Sequence, residues 1–119
     1  MADQHPNWLS FMAHARAMRR KAIDSGDQGY GAVIVKDGEV VGWGPSRVVV
    51  NGDPTAHAEM EAIRDAARRL KTTDLSGCVM VSTSHPCPMC ETAGYWAHLD
   101  ELIHGADAVS SGAPVYQRC

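Results

Sequence analysis

Apolar residues recur at helical spacing from Asn7 to about Ile23. Trp8, Phe11, Met12, Ala15, Met18 and Ala22 share one side, and Arg16, Arg19, Arg20 and Lys21 fall on the outward positions between them. Ser25-Gly26-Asp27 then reads as a helix stop. Beyond it the period changes. Ala32-Val33-Ile34-Val35 and Glu39-Val40-Val41-Gly42-Trp43 read as strands around Lys36-Asp37-Gly38, and Asp-Gly between two apolar runs predicts a hairpin. A loop is expected from Gly44 to Pro54. Thr55 to Leu70 predicts a second amphipathic helix with Met60, Ile63, Ala67 and Leu70 along one side. Cys78-Val79-Met80-Val81-Ser82 has the continuous apolar character of a buried strand. Pro86-Cys87-Pro88 opens a third helix, with Met89, Ala93, Trp96 and Ala97 as its apolar face. Glu101-Leu102-Ile103-His104 is a last strand candidate, and Gly105 onward reads as turns.

The order helix, hairpin, helix, strand, helix, strand predicts an α/β domain with a helix-covered sheet. The chain has 119 residues with no repeat or linker, so residues 1–119 are expected to form a single domain with an ordinary core.

Composition narrows the partners. The apolar share of 45% and charged share of 21% are those of a water-soluble globular chain, and the net charge of −3 argues against nucleic acid as the obvious partner. No run approaches the roughly 18 apolar residues of a membrane span. Residues 1–6 have neither the basic start nor the apolar stretch of an export signal. A reducing, cytoplasmic setting is therefore expected, in which Cys87-Pro88-Met89-Cys90 points to metal or redox chemistry rather than a disulfide. Cys78 reads as an inert core thiol and Cys119 as a free surface thiol.

The chemistry-bearing residues cluster at predicted helix starts. His57-Ala58-Glu59 follows the helix-starting Asp53-Pro54-Thr55, and Cys87 and Cys90 lie three apart at the head of the third helix. Zinc takes imidazole nitrogen and thiolate sulfur tetrahedrally, and a catalytic site uses about three protein ligands with a water in the fourth position. His57, Cys87 and Cys90 suit that role. Glu59, two residues from His57, can converge on the same point only if the metal sits just beyond the helix's first turn. There it is a proton shuttle rather than a ligand. A redox pair has no use for the upstream His-x-Glu, and a structural zinc site, with His85, Cys78 or His98 as its fourth ligand, has no use for Glu59.

His-x-Glu followed by Pro-Cys-x-x-Cys is the pattern of zinc nucleobase deaminases. Asp53-Pro54-Thr55-Ala56-His57-Ala58-Glu59 resembles the helix-starting segment of guanine deaminases and tRNA adenosine deaminases. Pro86-Cys87-Pro88-Met89-Cys90 and Tyr95-Trp96-Ala97 look most like the guanine deaminases, whereas Gly105-Ala106-Asp107-Ala108 and Gly112-Ala113 resemble the tRNA enzymes. With the Gly31-to-Trp43 hairpin, the resemblance covers nearly the whole chain. It implies the cytidine-deaminase-like fold, a three-layer α/β/α sandwich with a mixed central sheet. It also implies a zinc cofactor and hydrolytic release of ammonia from a free nucleobase or related small aromatic amine, a guanine-like purine being the first candidate. The alternatives are deamination of adenosine or cytosine within tRNA or another nucleic acid, and a non-catalytic zinc module. A homodimer or larger assembly, in which a neighbour completes each pocket, is implied as well.

Two positions depart from the family pattern. Eleven residues before the zinc histidine the family carries a base-binding Asn, where this chain has Ser46; before the first zinc cysteine it carries Glu, where this chain has His85. A serine hydroxyl cannot span the two contacts of a planar amide. Poor handling of plain guanine is therefore expected unless a neighbour such as Asn51, Trp43 or Asp107 reaches the ring. The candidate substrate-binding residues are Ser46, Asn51, Ala58, Trp43, Trp96 and Asp107, with core packing favoured over stacking for the two tryptophans. The family pattern continues with another strand and helix after Gly112-Ala113; this sequence ends at Cys119.

Overall fold

The computed structural model describes residues 7–114; the expectations for residues 1–6 and for Cys119 fall outside them. Helix α1 spans Trp8–Asp24, with the Asn7 side chain accepting from the Ser10 amide at its start. Strands β1 (Gly31–Lys36) and β2 (Glu39–Pro45) form the expected hairpin. At its tip Asp37 and Gly38 have φ of 53° and 79°, the left-handed conformations that a two-residue turn of this twist requires.

The region expected to be a loop contains a short helix, α2 (Val48–Asn51). Helix α3 (Ala58–Leu70) starts three residues later than its apolar pattern suggested. The residues before it close a turn of their own: Asp53 Oδ1 accepts from the amide and hydroxyl of Thr55 at 2.9 and 2.8 Å, and the Ala56 amide donates to the Asp53 carbonyl. Strand β3 (Cys78–Ser82), helix α4 (Pro88–Trp96) and strand β4 (Glu101–His104) follow the expected order. A further strand, β5 (Val109–Gly112), lies in the stretch after Gly105 whose sequence reads as turns. Its residues are exposed throughout, so its sequence carries no apolar alternation.

The sheet order is β2-β1-β3-β4-β5. β3 and β4 are parallel, joined through α4, and the other pairs are antiparallel, so the sheet is mixed. Alternate residues face its two sides. Val33, Val35, Val81 and Ile103 pack with Met12 and Ala15 of α1. Ala32, Ile34, Met80 and Leu102 pack with Ala58, Ala62 and Ala66 of α3, and Gly94 of α4 faces the Leu99 and Leu102 side chains on the same side. The result is the three-layer α/β/α arrangement.

Small residues set how closely β2 approaches α3. The buried stripe of α3 is Ala58, Ala62 and Ala66, with Ile63 and Leu70 packed at its edge. Opposite it stand Gly42 and Gly44. A Cβ at Gly44 would lie 2.1 Å from the Ala58 carbonyl oxygen, and one at Gly42 2.6 Å from that of Ala62. Backbone therefore rests on backbone, and this contact fixes the height of the α3 N-terminus above the sheet.

Candidate active site

His57 is the N-cap of α3 and Cys87 the N-cap of α4, and both have extended backbone (φ −61°, ψ 155° and φ −75°, ψ 169°). Neither side chain caps its own helix. Pro88 opens α4 with its fixed φ, and Cys90 follows in the first turn. His57 and Glu59 thus straddle a helix start rather than diverging along a continuous helix. Two helix N-termini, each with a positive end, meet at one place.

His57 Nδ1 lies 3.7 Å from Cys87 Sγ and 3.6 Å from Cys90 Sγ. All three ligating atoms fall within 4.8 Å of one another. Zinc–sulfur bonds of about 2.3 Å and zinc–nitrogen bonds of about 2.0–2.1 Å at tetrahedral angles place nitrogen and sulfur about 3.6 Å apart. The donors stand at that spacing, so the three residues can hold a zinc ion and leave a fourth position open. Burial pushes the Cys90 thiol far above its ordinary pKa, and Glu59 and Cys87 push the same way. Ionising it calls for a positive partner, which a divalent cation supplies. Cys78, a conceivable fourth ligand, begins β3 in the core at the end opposite Ser82, and burial raises its pKa too.

Glu59 is 5% exposed, and Ser82 Oγ at the end of β3 donates to its Oε2 at 3.2 Å. Burial raises the Glu59 carboxyl above its ordinary pKa, outweighing the opposing pull of its own amide, the Ser82 hydroxyl and His57. A carboxyl in this state can both accept and return a proton.

Beside these groups lies a cavity of about 350 Å³. His57, Ala58, Glu59 and Cys87 form one part of its wall, and Ser46 another. Ser46 itself is fully buried, with Oγ donating to Asp27 Oδ1 at 2.9 Å. The other sequence-derived candidates lie outside this wall. Trp43 packs toward α1, edge-on to His14, with its amide donating to Asp65. Asn51 is exposed at the end of α2, and Asp107 is exposed in the β4–β5 connection. Trp96 is 62% exposed at the end of α4, so it is neither the core residue that helical spacing suggested nor part of this cavity.

The remaining wall comes from Gln28, Tyr30, Ser84 and His85. His85 stands where the family pattern has Glu; its Nδ1–H donates to the Pro86 carbonyl at 3.0 Å and its ring packs edge-on against His104. Gln28 and Tyr30 carried no sequence signal beyond following a helix stop. They reach the site because β1 and β3 pair antiparallel with Ala32 opposite Ser82, which sets the residues before Gly31 beside those after Ser82.

Residues 7–106 match the model of the cytidine and deoxycytidylate deaminase zinc-binding region. The chain belongs to that family. It is 38% identical over 110 residues to the guanine deaminase of Bacillus subtilis, covering 89% of this chain and 70% of that protein. It is 40% identical over 96 residues to the tRNA-specific adenosine deaminase of Aquifex aeolicus, covering 81% of this chain and 64% of that one. The crystal structure of the Bacillus subtilis guanine deaminase superposes with a TM-score of 0.78, covering 82% of this chain and 62% of that chain. The chain thus spans less than two thirds of the Aquifex protein and of the solved chain. No helix among the described residues is long and apolar enough to cross a membrane.

Proposed function

We propose that residues 1–119 act as one zinc-dependent hydrolytic deaminase domain that removes the amino group of a small aminated base, a guanine-like purine first. The observation that carries this reading is the meeting of three zinc-type donors, at 3.6 and 3.7 Å, with the buried carboxyl of Glu59 in the wall of one cavity. His57, Cys87 and Cys90 hold the ion. When bound, zinc supplies a water whose pKa falls to about 7 and polarises the attacked centre. Glu59 would take one proton from the attacking water and pass it to the ring nitrogen next to the amino-bearing carbon as the C–O bond forms, then carry the remaining hydroxyl proton to the amino nitrogen as the C–N bond breaks, leaving a carbonyl and ammonia. Ser82 holds one of its carboxylate oxygens during this traffic. The cavity suits a flat heterocycle, since ligand pockets start at about 300 Å³.

A second reading, deamination of a base within RNA, is favoured by the 40% identity to the Aquifex tRNA-specific enzyme and by the exposed cations Arg16, Arg19, Arg20 and Lys21 on α1. We also infer a homodimer, supported by the exposed aromatic surface of Trp96. Ammonia release by the zinc-loaded protein, measured on guanine, adenine and cytosine and on an anticodon-type RNA hairpin, tests these readings. Turnover of a free base supports the first, and turnover of the hairpin alone supports the second.

A further inference from the structure

We propose that Gln28 is the residue that reads the substrate's ring edge, taking the recognition role that the family pattern places at position 46. This rests on the deaminase reading, because the cavity is taken to be the substrate's. Position 46 does not serve that purpose here. The Ser46 side chain is fully buried, and its single proton is committed to Asp27 Oδ1 at 2.9 Å. Only lone pairs remain on its oxygen, so it has no donor left for a ring edge.

What Ser46 does instead is help hold Gln28 in place. The oxygen of Asp27 that accepts from Ser46 also accepts the Gln28 amide at 2.8 Å. The other oxygen accepts the amides of Val49 and Val50 at 3.0 and 2.8 Å. One carboxylate thereby ties the end of β2, the first turn of α2 and the segment before β1 together. Burial pulls the Asp27 carboxyl upward, but these donors outweigh it and hold it below the ordinary range, so it stays an acceptor. The Gln28 carbonyl accepts from the Tyr30 amide at 2.9 Å. Both backbone groups of Gln28 are therefore fixed.

Its side-chain amide makes no hydrogen bond among the described residues, and Gln28 lines the same cavity as Glu59. A carboxamide offers two donors and an acceptor in one plane, the chemistry that a serine at position 46 lacks. Glutamine's additional methylene gives it longer reach than the asparagine of the family pattern. The ligand class that fits is a heteroaromatic ring with a donor and an acceptor side by side, as in the lactam N–H/C=O edge of an oxopurine.

Hypoxanthine carries that edge without an amino group to lose, and purine lacks it. Equilibrium binding of both to the zinc-loaded protein tests the assignment. The wild type is expected to prefer hypoxanthine by about tenfold or more, the effect of one or two paired hydrogen bonds. Gln28→Leu, which keeps the backbone bond to Asp27, should erase the preference. No preference in the wild type, or one that persists in Gln28→Leu, overturns the proposal. Ammonia release from aminated bases, measured on the same preparations, reports the deaminase reading separately. Release without any lactam preference sinks Gln28 alone; lactam preference without release supports Gln28 and sinks the deaminase reading.

Discussion

Ser82 Oγ donates to Glu59 Oε2 at 3.2 Å, linking the last residue of β3 to the second residue of α3 inside the protein. A strand end thus orients the carboxyl that is proposed to carry protons. Ser82→Ala removes that contact without disturbing the zinc donors. Its expected effect is a kcat about fivefold lower, corresponding to roughly 1 kcal/mol for one hydrogen bond, with zinc content unchanged. Steady-state kinetics with parallel metal analysis checks it; an unchanged kcat removes Ser82 from the site.

The approach of β2 to α3 predicts a position with no tolerance. At Gly44 an added Cβ would meet the Ala58 carbonyl oxygen at 2.1 Å and the Ala62 amide nitrogen at 2.5 Å. Both are backbone atoms, so the helix itself has to move. Gly44→Ala should cost about 1–3 kcal/mol or more in urea unfolding. It should also weaken zinc binding, because His57 sits at the displaced helix end. Wild-type stability together with wild-type zinc affinity would show that the contact is not needed.

Much of the candidate site is legible in the sequence because its residues mark helix starts. Asp53-Pro54-Thr55 announced that His57 and Glu59 flank an N-terminus, and Pro88 did the same for Cys87 and Cys90. Local chemistry encodes such punctuation. The rest of the cavity depends on register, and the pairing of Ala32 with Ser82 joins segments fifty residues apart that no local pattern relates. Hence no local pattern marks Gln28 and Tyr30 as cavity residues. Trp96 differs from its pattern for a related reason: helical spacing identifies a face but not whether another element covers it, and Trp96 stays 62% exposed although its neighbours Gly94 and Ala97 are buried. Strand β5 forms by edge pairing with β4 alone, so its Ser-Ser sequence gave no warning.

Asp27 gives a pH-dependent prediction. Its carboxyl is lowered in the folded chain, while in the unfolded chain it titrates near about 3.9. A lowered carboxyl adds stability that is present in full above the unfolded value. That contribution is lost as pH falls through the folded one. The urea midpoint of the wild type should therefore exceed that of Asp27→Asn at pH 6, and the gap should close as pH drops below about 4. A gap independent of pH would mean that the carboxylate's charge plays no part in holding the loop.

In the proposed reaction His57, Cys87 and Cys90 hold zinc while Glu59 moves protons without binding it. Ammonia release per bound zinc, compared across wild type, Glu59→Gln and Cys87→Ser on a turned-over base, tests it most directly. Glu59→Gln should keep about one zinc per chain and lose about 10²–10⁴-fold in turnover. Cys87→Ser should lose zinc affinity first, with activity following the metal. A Glu59→Gln protein that turns over like the wild type, or one that loses its zinc, would contradict this account.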